Sequence, residues 1–275
     1  MINKSRASVI CLCHNQADFV EEAIHSALNQ THENIELIVV DDGSTDGSKQ
    51  VIRKAIQDLS VEFVDIERSV GNCKAFNQGL QYATGEYIID LAADDKLLPN
   101  RVAEGIKTFS TKTISVEFCN VRHIDHSGNE KNEHFDPNQE IPEGDLYEKL
   151  ITTYFISPPG MMMKKEVLDE LGGYDESLTY EDFDFWIRSS RKFEYGYTDK
   201  VLVQKRDIPN SLSKKQFQFL SKHQRSTLKV CKKIKKLNRY RREDLALRKR
   251  CLYEIKNCLK QGNIGLIPSF LRLCF

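Results

Sequence analysis

The sequence lacks several features that would place it in common protein classes. No apolar run among its 275 residues approaches the roughly 20 residues that span a bilayer, so it predicts no transmembrane helix. The polar segment Met1–Arg6 is not followed by the apolar stretch of a secretory signal, so we expect a cytoplasmic protein. The eight cysteines include no CxxC pair, which predicts reduced thiols rather than a zinc ribbon or a disulfide scaffold.

Two phosphate-binding motifs are also absent. The chain contains neither GxGxxG nor GxxxxGK[ST], which argues against a Rossmann dinucleotide site and against a P-loop. A net charge of zero conceals a strong asymmetry, because residues 211–275 hold eighteen Lys and Arg against three acidic residues. These residues therefore carry +15, and residues 1–210 carry −15. Such a change in charge predicts a boundary between a main domain, 1–210, and a basic helical extension, 211–275.

Short apolar runs alternate with helical patterns in the first hundred residues. Runs at 7–13, 36–40, 61–66 and 87–91 read as strands, and the segments between them have helical spacing. This alternation predicts an α/β fold with a mixed, mostly parallel sheet and helices on both faces. Ligands of such sheets bind beyond the carboxyl ends of the strands.

Local patterns add narrower expectations. Asp18 with Glu21 resembles a capping box at the start of a helix that runs to Leu28. A second helix is expected to open at Leu97–Pro99, because proline is favoured early in a helix. The polar segment 125–139 reads as a mobile loop, and the methionines at 161–163 are expected to lie in the core.

Acidic pairs follow two of the predicted strands. Asp41 and Asp42 end the second strand, and Asp94 and Asp95 follow the fourth. Adjacent carboxylates repel, and a hard divalent cation such as Mn²⁺ or Mg²⁺ removes that repulsion. The first pair suits the base or ribose of a nucleotide, and a metal at the second would hold its diphosphate.

Two cations are candidates to assist that diphosphate. Arg68 and Lys74 lie close to the predicted ligand edge in sequence, and the alternative for each is a solvated surface cation. Both readings stay open at this stage.

Two stretches of the sequence resemble a known family. ASVICLCHNQADFVEEAIHSALNQTHENIELIVVDDGSTDGS, followed by GNCKAFNQGLQYATGEYIIDLAADDKLLP, is similar to the inverting family 2 glycosyltransferases with the GT-A fold. That resemblance covers about residues 7–199. It implies that Asp42 binds the nucleotide base with Asp41 in support. It also implies that Asp95 is the main metal ligand, with Asp94 beside it near the ribose and diphosphate.

The same resemblance assigns the catalytic base. GGYDES…EDFDFWIR is similar to the Glu-Asp motif of the family, so Asp182 would be the general base and Glu181 would position it or the acceptor. Without the resemblance, both residues read as ordinary acidic residues in the first turn of a helix.

Two positions depart from the family pattern. Ala92 stands where the first of three carboxylates is usual, which bears on how tightly a metal binds without the donor. In the stretch Arg206–Ser211, Ile208 replaces a His that family members often carry, and Asp207 is a candidate substitute.

Together these features predict a metal-dependent, inverting transferase that uses a nucleotide-sugar, with UDP-sugar favoured. Processive synthases of the family carry QxxRW, which is absent, so a single addition to a saccharide or lipid-linked glycan of the cell envelope is expected. The alternatives are a non-catalytic nucleotide-sugar-binding or scaffold protein and a nucleotidyltransferase. The latter would need a basic glycine-rich loop near the amino terminus, which VICLCHNQADF does not provide.

The basic extension carries amphipathic patterns of its own. Its partner is expected to be an anionic membrane surface, which would place the protein on the inner face of the plasma membrane. The alternatives are packing on the catalytic domain or a homodimer contact. Aromatic residues are too sparse there to favour nucleic acid. The predicted apolar stripes are Gln216, Phe217, Leu220, Gln224, Leu228, Cys231 and Ile234, then Leu245, Leu252, Ile255 and Leu259, and finally the apolar residues of 263–275.

Overall fold

The computed structural model describes residues 5–208 and 219–275, and the chain divides into two units. The first unit contains Met1–Gly144, Ile156–Tyr174 and Phe193–Asp207. The second contains Asp145–Phe155, Asp175–Lys192 and Ile208–Phe275. The predicted boundary between residues 210 and 211 lies outside the described residues.

The first unit is built on one sheet. Its strands are β1 (Ala7–Cys13), β2 (Ile35–Asp42), β3 (Glu62–Ile66), β4 (Tyr87–Ala92), β5 (Lys96–Leu97), β6 (Val116–Ile124), β7 (Glu130–Glu133), β8 (Met161–Lys164) and β9 (Tyr195–Arg206). They lie in the order β3-β2-β1-β4-β8-β6-β9-β5, and β7 pairs with β6. Strands β3, β2, β1 and β4 are parallel to one another. Strand β8 is antiparallel to β4 and β6, and β5 is antiparallel to β9, so the sheet is mixed. The predicted α/β fold class is therefore confirmed.

Ten α-helices occur in the described residues. In chain order they are α1 (Val20–Leu28), α2 (Ser48–Ala55), α3 (Asn72–Leu80), α4 (Arg101–Thr111), α5 (Tyr147–Thr152), α6 (Lys165–Leu171), α7 (Asp182–Ser190), α8 (His223–Leu237), α9 (Arg241–Gln261) and α10 (Ile267–Leu273). The first unit holds α1 to α4 and α6, and the second holds α5 and α7 to α10.

Alternate residues of the central strands bury opposite faces of the sheet. Val9 and Val39 join one buried cluster with residues of α1, α2 and α4. On the other face α3 packs closely, because a Cβ added at Gly79 would lie 2.7 Å from Val40 and 2.9 Å from Ile10. Helices therefore cover both faces, as the alternating strand and helix patterns predict.

Three local predictions for the first unit are wrong. The helix predicted from Leu97 begins at Arg101, because Lys96 and Leu97 pair with β9 as a short strand. Asp18 caps no helix, since α1 has Phe19 at its N-cap without a side-chain cap bond. The segment 125–139 contains β7, which Arg122 of β6 fastens through ion pairs to Glu130 and Glu133.

The predicted core role of the methionines is confirmed. Met161, Met162 and Met163 are at most 3 % exposed, and they lie in β8 between β4 and β6. Met162 belongs to the buried cluster that α1, α2 and α4 share, and the unbranched side chains of methionine adapt to such core positions.

The second unit is helical. Its core contains Phe183, Trp186 and Ile187 of α7, which share one side of the helix as their spacing predicts. Tyr154 packs against Phe183 at 4.8 Å between ring centroids, and Leu228 and Ile234 of α8, both from the predicted amphipathic stripe, are buried. Leu220 of the same stripe precedes α8 and is 58 % exposed. Gln216 and Phe217, also assigned to that stripe, lie outside the described residues.

The leucines of the stripe predicted for α9 are exposed. Leu245, Leu252 and Leu259 are 49 %, 51 % and 61 % exposed, whereas the opposite side of the helix is buried. The buried side carries a charged pair, because Arg250 and Glu254 lie 3.2 Å apart there. Pairing makes the burial of these two charges tolerable.

No helix in residues 5–208 or 219–275 is both long and apolar enough to cross a bilayer.

Candidate active site

The register of the central strands places both acidic loops on one edge of the sheet. Asp41 of β2 lies opposite Cys13 of β1, and Ala92 of β4 lies opposite Leu12 of β1. Since β1 separates β2 from β4, the two loops start about 10 Å apart, which is two strand spacings. The two acidic strands are therefore second neighbours, with the end of β1 between them.

Asp42 organises the loop that precedes α3. Its carboxylate accepts hydrogen bonds from the hydroxyl of Ser69 at 2.7 Å and from the backbone N–H groups of Val70 at 2.7 Å and Gly71 at 3.1 Å. A carboxylate offers about four acceptor sites, so one site remains for a ligand. The side chain predicted to meet a nucleotide base also fixes the loop beside it.

Gly43 allows the backbone of Arg68 and Ser69 to lie close to the loop after β2. Its φ is +67°, and an added Cβ would lie 2.3 Å from the backbone nitrogen of Ser69 and 2.7 Å from the carbonyl carbon of Arg68. Only glycine suits both the left-handed backbone and the missing space. The third residue of the Asp41–Gly43 sequence is therefore a glycine for a steric reason.

Asp41 is fully buried, unlike a residue that meets a ligand directly. Its Oδ1 accepts the N–H of Ser44 at 2.9 Å and lies 3.8 Å from Nζ of Lys49. Its Oδ2 contacts no hydrogen-bond donor among the described residues. Asp41 thus shapes the loop after β2 from within, which agrees with a supporting position.

The loop after β1 is joined to the loop after β2. Asn15, with φ +55°, accepts the N–H of Thr45 at 2.8 Å through its side chain. His14 Nδ1 lies 2.6 Å from the backbone oxygen of Asp42. Sequence reasoning treated these two residues only as a turn, because their partners lie about thirty residues away in the chain.

Asp94 and Asp95 form the second acidic loop, and both carboxyls are perturbed. Burial raises the pKa of Asp95, and the adjacent Asp94 adds to that shift. Burial also raises the pKa of Asp94, against the opposing effects of Gln16 and two nearby cations. A bound divalent cation would favour the charged forms that burial disfavours.

Arg206 anchors this loop. Its backbone N–H donates to Oδ1 of Asp95 at 2.8 Å, and its Nε donates to the backbone oxygen of Asp94 at 3.1 Å. The guanidinium also donates to Glu22 at 2.5 Å and lies 4.7 Å from the ring centre of Phe19. Sequence reasoning missed this role, since Arg206 lies more than 110 residues from the loop and has no local signal.

The donor set at this loop fits a metal that takes few protein ligands. Among residues 5–208 and 219–275, no three His, Cys, Asp or Glu side chains are grouped to hold an ion. Asp94 and Asp95 supply two carboxyls, and Ala92 supplies none. Mg²⁺-type ions often bind one or two carboxylates and complete their shell with water and phosphate oxygens.

Arg68 and Lys74 are exposed side chains near the loop that Asp42 organises. Arg68 directly precedes Ser69, and Lys74 lies in the first turn of α3. Neither forms an ion pair with a residue that the structure describes.

Asp207 is hydrogen-bonded to two side chains of its own unit. It accepts hydrogen bonds from His123 at 2.9 Å and Lys131 at 3.2 Å. Burial acts to raise the pKa of Asp207, but these two partners outweigh it, so the pKa is lowered. Ile208 is described, and residues 209–211 of the same stretch lie outside the described residues.

Glu181 and Asp182 begin α7 in the second unit. Glu181 is the N-cap and Asp182 is the first helical residue, and both are partly exposed. Asp184, two residues on, is buried and pairs with Lys233 at 2.5 Å and Arg188 at 2.6 Å. Asp184 is therefore paired inside the second unit, and the side chains of Glu181 and Asp182 are partly exposed.

Comparison with known proteins then decides the family. Residues 8–172 match the model of "Glycosyl transferase family 2", which is more than half of the chain. The chain belongs to glycosyltransferase family 2. The predicted family is thereby confirmed, and the matched segment contains both acidic loops.

Relatives of this family 2 protein occur in archaea and bacteria. An uncharacterized glycosyltransferase of Methanocaldococcus jannaschii is 30 % identical over 215 residues, which are 76 % of this chain and 73 % of the relative. TuaG of Bacillus subtilis, provisionally assigned to teichuronic acid biosynthesis, is 25 % identical over 221 residues, 80 % of this chain and 86 % of TuaG. Three relatives from Rickettsia are longer, and this chain spans 29–35 % of their length; two others from that genus are covered to 63 %.

Solved structures share the fold. S. aureus TarS 1–349 in complex with UDP-GlcNAc has a TM-score of 0.76 at 17 % identity, over 98 % of this chain and 79 % of that one. A mannosyltransferase from Pyrobaculum calidifontis in complex with GDP-Man and Mn²⁺ has a TM-score of 0.64 at 18 % identity, over 98 % of this chain and 74 % of that one. These likenesses confirm the GT-A fold.

The family 2 fold thus brings Asp41, Asp42, Asp94 and Asp95 to one edge of its sheet, with Arg68 and Lys74 near the first pair. Glu181 and Asp182 stand at the start of a helix in the second unit.

Proposed function

We propose that this chain is a metal-dependent, inverting and non-processive glycosyltransferase. It moves one sugar from a nucleotide-sugar, with a UDP-sugar favoured, to a hydroxyl of a saccharide or lipid-linked glycan in cell-surface polysaccharide synthesis. The observation that carries this proposal is the pair of acidic loops on one sheet edge, within the segment that matches family 2. TuaG and the nucleotide-sugar complexes of TarS and the mannosyltransferase support the substrate class.

In this proposal the first acidic loop holds the nucleoside. Asp42 has one acceptor site left for an N–H of the base, and Asp41 keeps the loop in shape from its buried position. Arg68 and Lys74 are exposed cations near this loop and would contact the diphosphate.

The second acidic loop would hold a divalent cation. Asp95 is the principal ligand in this proposal and Asp94 the second, while Arg206 fixes the loop that carries them. When bound, such an ion stabilises the charge that develops on the departing diphosphate. Mn²⁺ is the ion in the mannosyltransferase complex, and Mn²⁺ or Mg²⁺ suits carboxylate ligands here.

Asp182 would act as the general base. The acceptor O–H gives its proton to the Asp182 carboxylate while its oxygen bonds to the anomeric carbon. The bond between that carbon and the diphosphate oxygen breaks at the same time, and its electron pair leaves with the diphosphate. A single displacement of this kind inverts the anomeric centre, and such a base contributes about 10²–10⁴-fold to the rate. Glu181 would position the acceptor or the base.

A ligand screen tests this proposal. Nucleotide-sugars are added with and without Mn²⁺, and the thermal midpoint of the protein is measured. A ligand at 100 times its Kd should stabilise the protein by about 2.7 kcal/mol. We expect a UDP-sugar to raise the midpoint only with the metal, and Asp95→Asn to abolish that shift. If no UDP- or GDP-sugar stabilises the wild type, the proposal is wrong.

A further inference from the structure

The helix α9 presents an apolar stripe to solvent. Leu245, Leu252 and Leu259 are about half exposed or more and recur every seven residues. Seven residues fall only about 20° short of two full turns, so the three leucines form one nearly straight line about 21 Å long. The stripe is defined by these three residues, and it lies opposite the buried side of the helix.

The charges around the leucine stripe have one sign. Arg248, Lys249, Lys256 and Lys260 are exposed, and none of them forms an ion pair with a described residue. Arg241 and Arg242 are also exposed at the start of the helix, where Arg242 lies 3.5 Å from Glu148.

The acidic residues of α9 do not offset these cations. Glu243 and Glu254 are buried on the opposite side of the helix. Asp244, the third, is exposed and lies 3.4 Å from Lys235. The face that carries the leucine stripe is therefore apolar at its centre and positive along its edges.

The last residues of the chain extend this face. Phe275 is 88 % exposed, and its ring centre lies 5.6 Å from the guanidinium carbon of Arg248. Leu271 in α10 and Ile264 before it are 44 % and 62 % exposed. Large apolar groups thus continue beside the leucine stripe.

A second copy of the chain fits this face poorly. A helix seam between copies needs apolar residues about every 3.5 positions. Here Arg248 and Lys249 hold the intermediate positions between Leu245 and Leu252, and the partly buried Ile255 holds the one between Leu252 and Leu259, so the seam is interrupted. Two such faces would also bring rows of unpaired cations together. A surface of anionic lipid headgroups suits both features, because leucines enter the headgroup boundary and long cationic side chains reach phosphates beside them.

We propose that the leucine stripe and the flanking cations Arg248, Lys249 and Lys256 bind the surface of an anionic bilayer. The helix lies on the surface and does not span it. This inference concerns where the protein is held and does not depend on the proposed transfer reaction.

Vesicle co-sedimentation of the full chain tests the proposal. Vesicles of phosphatidylcholine alone are compared with phosphatidylcholine mixed with phosphatidylglycerol, at low and high salt. We expect binding to the anionic vesicles only, weakened by salt. The combined variant Leu245→Ser, Leu252→Ser and Leu259→Ser should lower the partition coefficient by at least about tenfold. The charge variant Arg248→Gln, Lys249→Gln and Lys256→Gln should lower it similarly.

Control variants test whether vesicle binding depends on this face or only on the total exposed charge and apolar surface of the protein. Leu59→Ser removes a leucine that is 47 % exposed in the first unit, and Lys54→Gln with Lys107→Gln and Lys149→Gln removes three exposed cations elsewhere. Both controls should bind vesicles within about twofold of the wild type. Thermal midpoints show that every variant is folded.

Three outcomes overturn the proposal. The wild type could fail to bind anionic vesicles, or the leucine variant could bind as well as the wild type. Alternatively, light scattering could show a dimer that the leucine variant abolishes while vesicle binding is unchanged, which would assign this face to a second copy.

Discussion

Replacing Arg206 by alanine should loosen the loop that carries Asp94 and Asp95. The guanidinium donates to the backbone oxygens of Asp94, Asp125 and His126 at 2.8–3.1 Å, and it contacts Glu22 at 2.5 Å. Its removal leaves three carbonyl groups without this donor. The backbone bond from residue 206 to Asp95 persists in the variant, because it uses the main chain.

The magnitude follows from the burial of these groups. Arg206 is 4 % exposed, so its hydrogen bonds to carbonyl oxygens are charge-assisted and shielded from water. Each such bond contributes about 1.5–3 kcal/mol, although deletions in one network do not add fully. Glu22 is about half exposed and adds less than about 1 kcal/mol. We expect Arg206→Ala to lower the free energy of unfolding of the first unit by about 3–5 kcal/mol.

The assay combines urea unfolding with calorimetric titration of donor and Mn²⁺. Donor affinity should fall at least about tenfold, because the proposed metal ligands are no longer fixed. Arg53→Ala is the control, since Arg53 is an exposed cation of the same unit that pairs with Asp65 at 2.7 Å. It should cost less than about 1 kcal/mol. An Arg206→Ala protein with wild-type stability and donor affinity would refute this reasoning.

Three further predictions concern stability and the first acidic loop. In the wild type the fully buried Arg101 lies 2.7 Å from the carboxylate of Glu117. Glu117→Ala removes the charge partner of Arg101 and should lower the free energy of unfolding in urea by about 3–5 kcal/mol. A loss below about 1 kcal/mol would contradict this. Gly43→Ala should weaken donor binding more than Gly47→Ala. Both glycines have a positive φ, but only at Gly43 would an added Cβ clash with backbone atoms. Equal donor affinities of the two variants in calorimetric titration would contradict this prediction. Burial acts to raise the pKa of Asp175, but hydrogen bonds from Lys233 and Ser177 outweigh it and lower the pKa to about 2. The ionised carboxylate therefore contributes about 2 kcal/mol to the free energy of unfolding at neutral pH, and this contribution is lost as pH falls from about 4 to 2. Asp175→Asn should therefore be less stable than the wild type at pH 7 by that amount, and the difference should shrink in acid.

Local sequence patterns were sufficient to predict the strands in the parallel half of the sheet. The run from Ala7 to Cys13 is apolar and bounded by polar residues, and a strand buried on both faces needs no more. Lys96 and Leu97 could not be assigned in this way. Their extended conformation depends on pairing with Gln204 and Val203, more than a hundred residues away, and that pairing outweighs the helical tendency of the segment.

In the candidate active site, too, some features are visible in the local sequence and others depend on contacts between distant segments. Acidic residues at strand ends are visible in the sequence, and the register of β1 with its neighbours brings them to one edge. The anchoring role of Arg206 depends on contacts between distant segments and leaves no local pattern. In α9 both sides of the helix carry periodic apolar residues, and the side that holds the Arg250–Glu254 pair is the buried one. Apolar spacing alone therefore does not tell which side of α9 packs inside the second unit.

The transfer rate of Asp182→Asn tests the central claim most directly. Donor Kd is measured by titration with Mn²⁺, and sugar transfer is followed under single-turnover conditions for the wild type and the variant. The account predicts an unchanged donor Kd and a transfer rate reduced by about 10²–10⁴-fold, because asparagine cannot accept the proton of the acceptor. A variant that transfers sugar at nearly the wild-type rate would contradict it, as would a wild type that binds the donor and transfers nothing.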